Sequence, residues 1–420
     1  MANTFSPRER KILWVLAAVQ FVNVLDFMMV MPMGPDLAHS LGIPLNQLGL
    51  VGGSYTMAAF VAGVLGSFVL DRLNRKTVLI YSLAGLVLAT WSATFATGLH
   101  SLLAARVAAG FFGGPATSAM LAMVSDVISP ERRGRALGLV MAAFSIASIL
   151  GVPVGLELAH LGGWQLPFWV VGALGALVTA GAQVLLPPHP HPQVPSHSQT
   201  AGSKHAWIWS PLVLLSFAGT SLSVLSSFML IPNLSAFLQF NAGWPREKLG
   251  LLYFAGGTLS LFSTRMGGGW NDRVGSMIPI TCATAVLAVM LYWGMLTGNP
   301  PGHPQILVLP WFAAFMLANS LRWISMSTLT SKVPLPHQRA RYMSILSAVQ
   351  HLSSASGAIV STRLLRPGPG GSLEGIPTLA LTAIVLGLLV PGVVYWVEKR
   401  LNARPIEKSL EDTSAIFEGA

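Results

Sequence analysis

An all-α membrane protein, with twelve transmembrane helices in two pseudo-symmetric six-helix bundles, is the fold class that this sequence predicts. Composition, spacing and internal repetition carry the prediction. Of 420 residues, 53% are hydrophobic and 10% charged, with a mean hydropathy of +0.62. A water-soluble globule of this make-up would lack the polar residues to cover itself. A helix needs about 20 apolar residues to cross roughly 30 Å of hydrocarbon. Twelve such windows follow one another, with most of the charge in their connections. The last six windows also repeat features of the first six.

The windows lie at 12–35, 47–70, 77–97, 100–125, 136–160, 165–186, 210–236, 248–270, 277–297, 305–331, 341–363 and 376–397. They are apolar on both faces, unlike the alternating strands of about ten residues that build a membrane barrel. The first, WVLAAVQFVNVLDFMMVMPMGP, follows Arg8, Arg10 and Lys11 and runs into Pro32 and Pro35 without a small-residue cleavage site. It reads as a span, not a cleaved signal peptide. The second ends at Arg72, Arg75 and Lys76, the fourth carries Arg106, and the fifth follows Arg132, Arg133 and Arg135. Residues 187–209 are rich in Pro, His and Ser and lack apolar periodicity, which reads as a cytoplasmic linker. His189, His191, His197 and His205 are spaced irregularly there, as in a solvated loop rather than a metal site. The tenth window carries Arg322 and the eleventh Gln350 and His351. The expected domains are bundles at 1–186 and 210–400, with a cytoplasmic tail at 401–420.

The net charge of +10 gains meaning from its placement. Sorted by span parity, 19 of the 25 Lys and Arg fall at one set of span ends, four at the other, and Arg106 and Arg322 within spans. The positive-inside bias puts both termini in the cytoplasm and removes the need for a nucleic-acid partner. The single Cys282 excludes an intrachain disulfide and gives no metal-site spacing.

The halves repeat. Leu70-Asp71-Arg72-Leu73 recurs as Asn271-Asp272-Arg273-Val274, 201 residues on, and Phe27-Met28 recurs as Phe228-Met229 at the same interval. Arg133-Gly134-Arg135 matches Arg339-Ala340-Arg341 at 206. A six-plus-six duplication of this kind suits two halves that rock about a central cavity. The register sets Asp26 opposite Ser227, so the acid has no twin.

Three segments carry a family resemblance that spans roughly residues 10 to 400. Gly66-Ser67-Phe68-Val69-Leu70-Asp71-Arg72-Leu73-Asn74-Arg75-Lys76 resembles the cytoplasmic signature of major facilitator superfamily transporters, and Arg106 through Gly110 to Gly114 the fourth-span signature. Gly151-Val152-Pro153-Val154-Gly155 resembles the fifth-span signature associated with antiporters, with Gly-Val-Pro replacing the usual Gly-Pro pair. The likeness is to the bacterial drug/proton antiporter branch, which includes sugar-efflux permeases. It implies the major facilitator fold, the bacterial inner membrane, and a conformational latch at Asp71, Arg72, Arg75, Asp126 and Arg133. Asn74 stands where the family usually has Gly; Asn tolerates a left-handed turn. Gly151, Pro153 and Gly155 suit close packing and a bend.

Asp26 is the acid deep within a span, where an anion is costly and usually handles ions or substrate. Counting from Lys11 places it about 22 Å up its helix, roughly 8 Å below the far boundary of the hydrocarbon, and Arg106 comes to roughly 9 Å below that boundary. Facing one cavity, Arg106 would favour ionised Asp26, and a substrate that parts them would favour proton uptake. The alternative is a permanent ion pair that orders two helices. Glu157 falls near the outer rim. Arg322 either binds an anionic substrate group or bonds to carbonyls and holds its helix. Asn23, Tyr55, Gln350 and His351 are candidates for the cavity wall or for helix–helix hydrogen bonds.

No phosphate-binding loop and no His-Glu-x-x-His occurs, so an enzyme, a nucleotide-driven pump and zinc chemistry are not expected. The reading is a monomeric exporter of a small organic molecule, drug-like or a metabolite, needing no cofactor beyond a proton gradient. Proton-linked transport of sugars or amino-acid-like metabolites in either direction is the alternative, and a non-transporting receptor or scaffold the more distant one.

Overall fold

The computed structural model describes residues 5–69, 73–129, 132–187, 206–297, 307–335 and 338–403. Asp71, Arg72, most of the expected linker with its four histidines, and the tail from 404 lie outside the described residues. Helix α1 (Pro7–Met29) opens with a capping box, Ser6 accepting from the Glu9 N–H while the Glu9 carboxylate accepts from the Ser6 N–H. It ends at Met29, short of the expected residue 35. Pro32 offers no N–H and would clash with the carbonyl four residues back, so the chain turns and restarts as α2 (Gly34–Leu41). Gly42 closes α2 at φ 63°, a left-handed conformation that glycine adopts without strain.

α3 (Leu48–Val69), α4 (Arg75–Ala93) and α5 (Leu99–Val127) follow. Asn74 is not left-handed: at φ −62° and ψ 120° it caps α4, its side chain accepting from the N–H groups of Lys76 and Thr77. A short polar side chain serves the exposed N–H groups of a helix start better there than a turn glycine would. α6 (Arg133–Ile146) and α7 (Val152–Gly162) form one rod, joined by a π-helical turn, Ala147–Gly151. The widened turn lies where Pro153 removes a backbone donor. α8 (Gln165–Leu185) completes this half of the chain.

The second half runs α9 (Pro211–Phe228), the one-turn α10 (Leu234–Ala236), α11 (Leu249–Val274), α12 (Met277–Leu291), α13 (Val308–Ser331), α14 (Arg339–Leu364) and α15 (Ile376–Asn402). A two-residue hairpin, β1 (Arg366–Pro367) with β2 (Leu373–Glu374), links the last two helices.

Among the described residues nine helical segments are long and apolar enough to cross a membrane. α11, α13 and α14 have lengths of 26, 24 and 26 residues but a more polar make-up; α14 carries six serines besides Gln350 and His351. Large apolar side chains point outward, as at Leu177 and Val184, 70% and 80% exposed, which suits lipid contact. Within the halves, α4 packs on α5 and α15 on α9; between them, α3 packs on α14 and α7 on α11.

Candidate functional site

The first site grows from α1. Asp26 is wholly buried, and Arg106 on α5, 1% exposed, reaches it with Nη1 3.1 Å from Oδ2 and Nη2 3.3 Å from the Asp26 carbonyl. The residue-by-residue rise that put them at similar depth is matched by direct contact. Thr90 on α4 adds a third helix: its hydroxyl lies 2.7 Å from Asp26 Oδ1 and 2.8 Å from the Leu86 carbonyl, and its one hydrogen serves one at a time. The Arg106 guanidinium also sits 4.8 Å over the Tyr55 ring of α3, while its Nε has no partner. Arg106 thus holds the carboxylate through one nitrogen rather than a two-pronged fork, leaving a donor in reserve. Tyr55 in turn donates to Asn23 at 2.9 Å, and Asn23 donates to Gly113 O and Thr117 Oγ1 at 2.9 and 2.6 Å. Four helices therefore share one polar network.

A second buried arginine forms the corresponding centre of the other half. Arg322 on α13, 4% exposed, donates through Nη2 to Ser223 O at 3.2 Å and Ser227 Oγ at 2.7 Å, both on α9. Ser227 Oγ lies 2.7 Å from Asn319 Oδ1 and 3.1 Å from the Ser223 carbonyl, and its one hydrogen serves one at a time. Arg322 thus holds α13 to α9 through neutral oxygens. Gln350 lines a small cleft with Ser223 and Trp323, and His351 is half-buried beside it on α14. Glu157 is exposed.

The other expected residues separate. Arg75 pairs with Asp126 and donates to Ala122 O at 3.1 Å, tying the start of α4 to the end of α5. Arg133, the first residue of α6, donates to Ile128 O, just past the end of α5, at 3.0 Å. Gly151 and Gly155 face α1: a methyl at Gly151 would stand 2.6 Å from Leu25 Cδ1, and one at Gly155 3.6 Å from Met29 Cβ. On the other side of the same rod, a methyl at Gly257 of α11 would stand 3.1 Å from Ser148 O.

Two features escaped the sequence reading. Thr90 gave no signal, since a threonine in an apolar helix commonly bonds its own backbone. Arg246 grips Asp36 with two nitrogens at 2.8 and 2.7 Å and donates to Leu156 O at 3.1 Å, clamping the two halves on the face opposite the Arg75–Asp126 pair. The 210 residues between Asp36 and Arg246 hide that pairing from any local pattern.

A family model described as Major Facilitator Superfamily matches residues 16–358 and 216–417. An uncharacterized MFS-type transporter of Bacillus subtilis (strain 168), YceJ, is 27% identical over 179 residues, covering 42% of this chain and 45% of the relative, so the match spans about half of that protein. The uncharacterized MFS-type transporter Rv1250 of Mycobacterium tuberculosis (strain ATCC 25618 / H37Rv) is 25% identical over 427 aligned positions, covering 86% of this chain and 72% of the relative. Among solved structures, a bacterial homolog to human lysosomal transporter Spinster, in an inward-facing and unoccupied conformation, superposes with a TM-score of 0.75 at 15% identity, over 97% of this chain and 100% of that one.

Proposed function

The chain belongs to the Major Facilitator Superfamily, and on that footing we propose that it exports a small organic molecule, drug-like or a metabolite, in exchange for protons by alternating access. Its relatives are transporters rather than enzymes. In this reading twelve helical segments cross the bacterial inner membrane as two six-helix bundles, one chain making a complete pathway. The face bearing the Arg75–Asp126 pair is cytoplasmic. With Asp36 and Arg246 clamping the opposite face, the conformation is one closed to the outside.

The observation that carries the reading is the buried Asp26–Arg106 pair. Exchange requires proton and substrate to favour opposite states of it. Protonation of Asp26 cancels its attraction for Arg106 and opens the pair; a substrate that binds only where the pair is closed expels the proton. A substrate that itself parted the pair would bind together with a proton, which gives symport rather than exchange. The Tyr55 ring, 4.8 Å from the guanidinium carbon, offers the cation a resting place while the pair is open.

The test is proton release from purified protein in weakly buffered detergent as lipophilic cations, antibiotics, sugars and amino acids are added, beside Asp26→Asn. Release by one class, absent in the variant, is expected. Proton uptake would replace exchange with symport. Binding without any proton movement would remove Asp26 from its proposed role.

A further inference from the structure

Arg322 differs from Arg106 in one decisive respect: among the described residues no acid lies within ion-pair distance of it. Its Nη2 is used twice on α9. Its Nη1 makes neither bond and approaches α15, where a methyl at Gly387 would stand 3.3 Å away. The same methyl would stand 4.0 Å from Thr284 Cγ2 of α12. Side chains from two helices thus converge over a residue that has none, and a cavity of about 10 Å³ remains, lined by these residues with Asn319 and Ser226. That is room for about one water-sized occupant.

Two more donors at this cavity lack partners. Thr284 is 2% exposed, yet its Oγ1 meets no hydrogen-bonding group. Thr220, Thr281 and Thr328 each bond back to the carbonyl four residues earlier, so the idle hydroxyl is not a general habit of these helices. Asn319 accepts from Ser227 through Oδ1, and its amide nitrogen has no bond among the described residues.

We propose that this cavity binds one small monovalent anion, a single halide ion, held by Arg322, Thr284 and Asn319. The three supply N–H and O–H groups, and a cation sunk among apolar helices calls for one compensating negative charge. Gly387 keeps the space open. The site lies within the second half and does not depend on titration of Asp26.

The experiment uses the purified full-length protein exchanged into sodium gluconate and titrated with sodium chloride, sodium bromide or sodium acetate while thermal unfolding is followed, with radiolabelled chloride counted at equilibrium. The expected result is a saturable rise in Tm, since a ligand that binds only the folded protein stabilises it. Thr284→Val should weaken the response about tenfold or more, the usual effect of deleting one hydrogen bond to a charged group. Gly387→Val should abolish it, because it fills the space while removing no donor group. These variants stand beside Arg322→Gln in case that protein folds poorly. A response to the halides with acetate inert is the result expected of a space this small, and a response to acetate with weak halides overturns the assignment to a single-atom ion. No saturable response to any of the three salts, or an undiminished one in Gly387→Val, overturns the proposal.

Discussion

The two halves place a buried arginine on equivalent helices and give it opposite company. Arg106 meets the carboxylate of Asp26, whereas Arg322 meets the hydroxyl of Ser227, which stands 201 residues after Asp26 in the repeat. The arginines themselves do not keep that interval, lying 216 residues apart: Arg106 is the 8th residue of α5 and Arg322 the 15th of α13, nearly two turns further along its helix, from which its long side chain reaches back to α9. The halves nevertheless share a feature, a guanidinium bridging the first and fourth long helices of each. Only one copy kept a titratable partner. In the proposed exchange, a proton taken up at Asp26 would change the balance of one half and leave the other as it was, an asymmetry by which two rocking domains could tell their states apart.

Removing the partner of Arg106 should have the largest effect. Asp26→Ala leaves a guanidinium buried beside Thr90 and Tyr55 without its counter-charge, and such losses run to about 3–5 kcal/mol. Thermal unfolding in detergent should show that fall. The matching change in the other half, Ser227→Ala, removes one hydrogen bond from Arg322 and should cost about 1.5–3 kcal/mol. Equal effects would mean that Asp26 carries no structural charge balance, and the comparison of the halves would fail.

Glycines sharpen the same contrast. Gly151 and Gly357 stand 206 residues apart, and each lets the fifth helix of its half approach the first. A methyl at Gly151 would meet the end of the Leu25 side chain at 2.6 Å, which can turn aside; a methyl at Gly357 would meet the Leu225 carbonyl oxygen at 2.6 Å, which cannot. Overpacking costs about 1–3 kcal/mol, and Gly151→Ala should fall at the low end while Gly357→Ala falls at or above the high end. Expression level and Tm of the two variants decide it.

How much of this is legible in the sequence follows from distance along the chain. The apolar windows and the constant rise of a helix bring Asp26 and Arg106 to one depth before any fold is known, because depth needs only a starting point and a count. Facing needs more. Thr90 reaches Asp26 only because α4 turns that side inward, and Arg322 reaches Ser227 only because a long side chain overrides a register that does not align. The early end of α1 was readable from Pro32 but lost in an unbroken apolar run. Asn74 shows the converse: its match to a family turn position implies that position's backbone, whereas its own side chain suits it to capping.

A smaller effect is expected at the clamp between the halves. Asp36 and Arg246 are half-buried and doubly bonded, so Asp36→Asn should release about 1 kcal/mol, the upper range for such pairs, and raise the open population roughly fivefold. Cysteine labelling at this face, in a Cys282→Ser background, reads that shift; unchanged labelling would mean that the α3–α14 and α7–α11 contacts alone hold the face closed.

The smallest effects belong to a pair of devices that do the same job with reversed charge. In the first half Lys76, at the start of α4, donates to the carbonyls of Gln183 and Leu186 at the end of α8. In the second half Glu398, near the end of α15, accepts from the N–H groups of Ser276 and Met277 at the start of α12, and Met277 is the residue 201 after Lys76. A cation at a helix end and an anion at a helix start each satisfy orphan backbone groups and oppose the helix dipole, for about 0.3–1 kcal/mol. Lys76→Met and Glu398→Gln should therefore lower stability by similar small amounts, and added salt should shrink both losses. The reversal is tolerated because either charge can close the same gap at a wet membrane face. No such freedom exists at Asp26 and Ser227, where hydrocarbon surrounds the site and one charge more or less decides what can bind there.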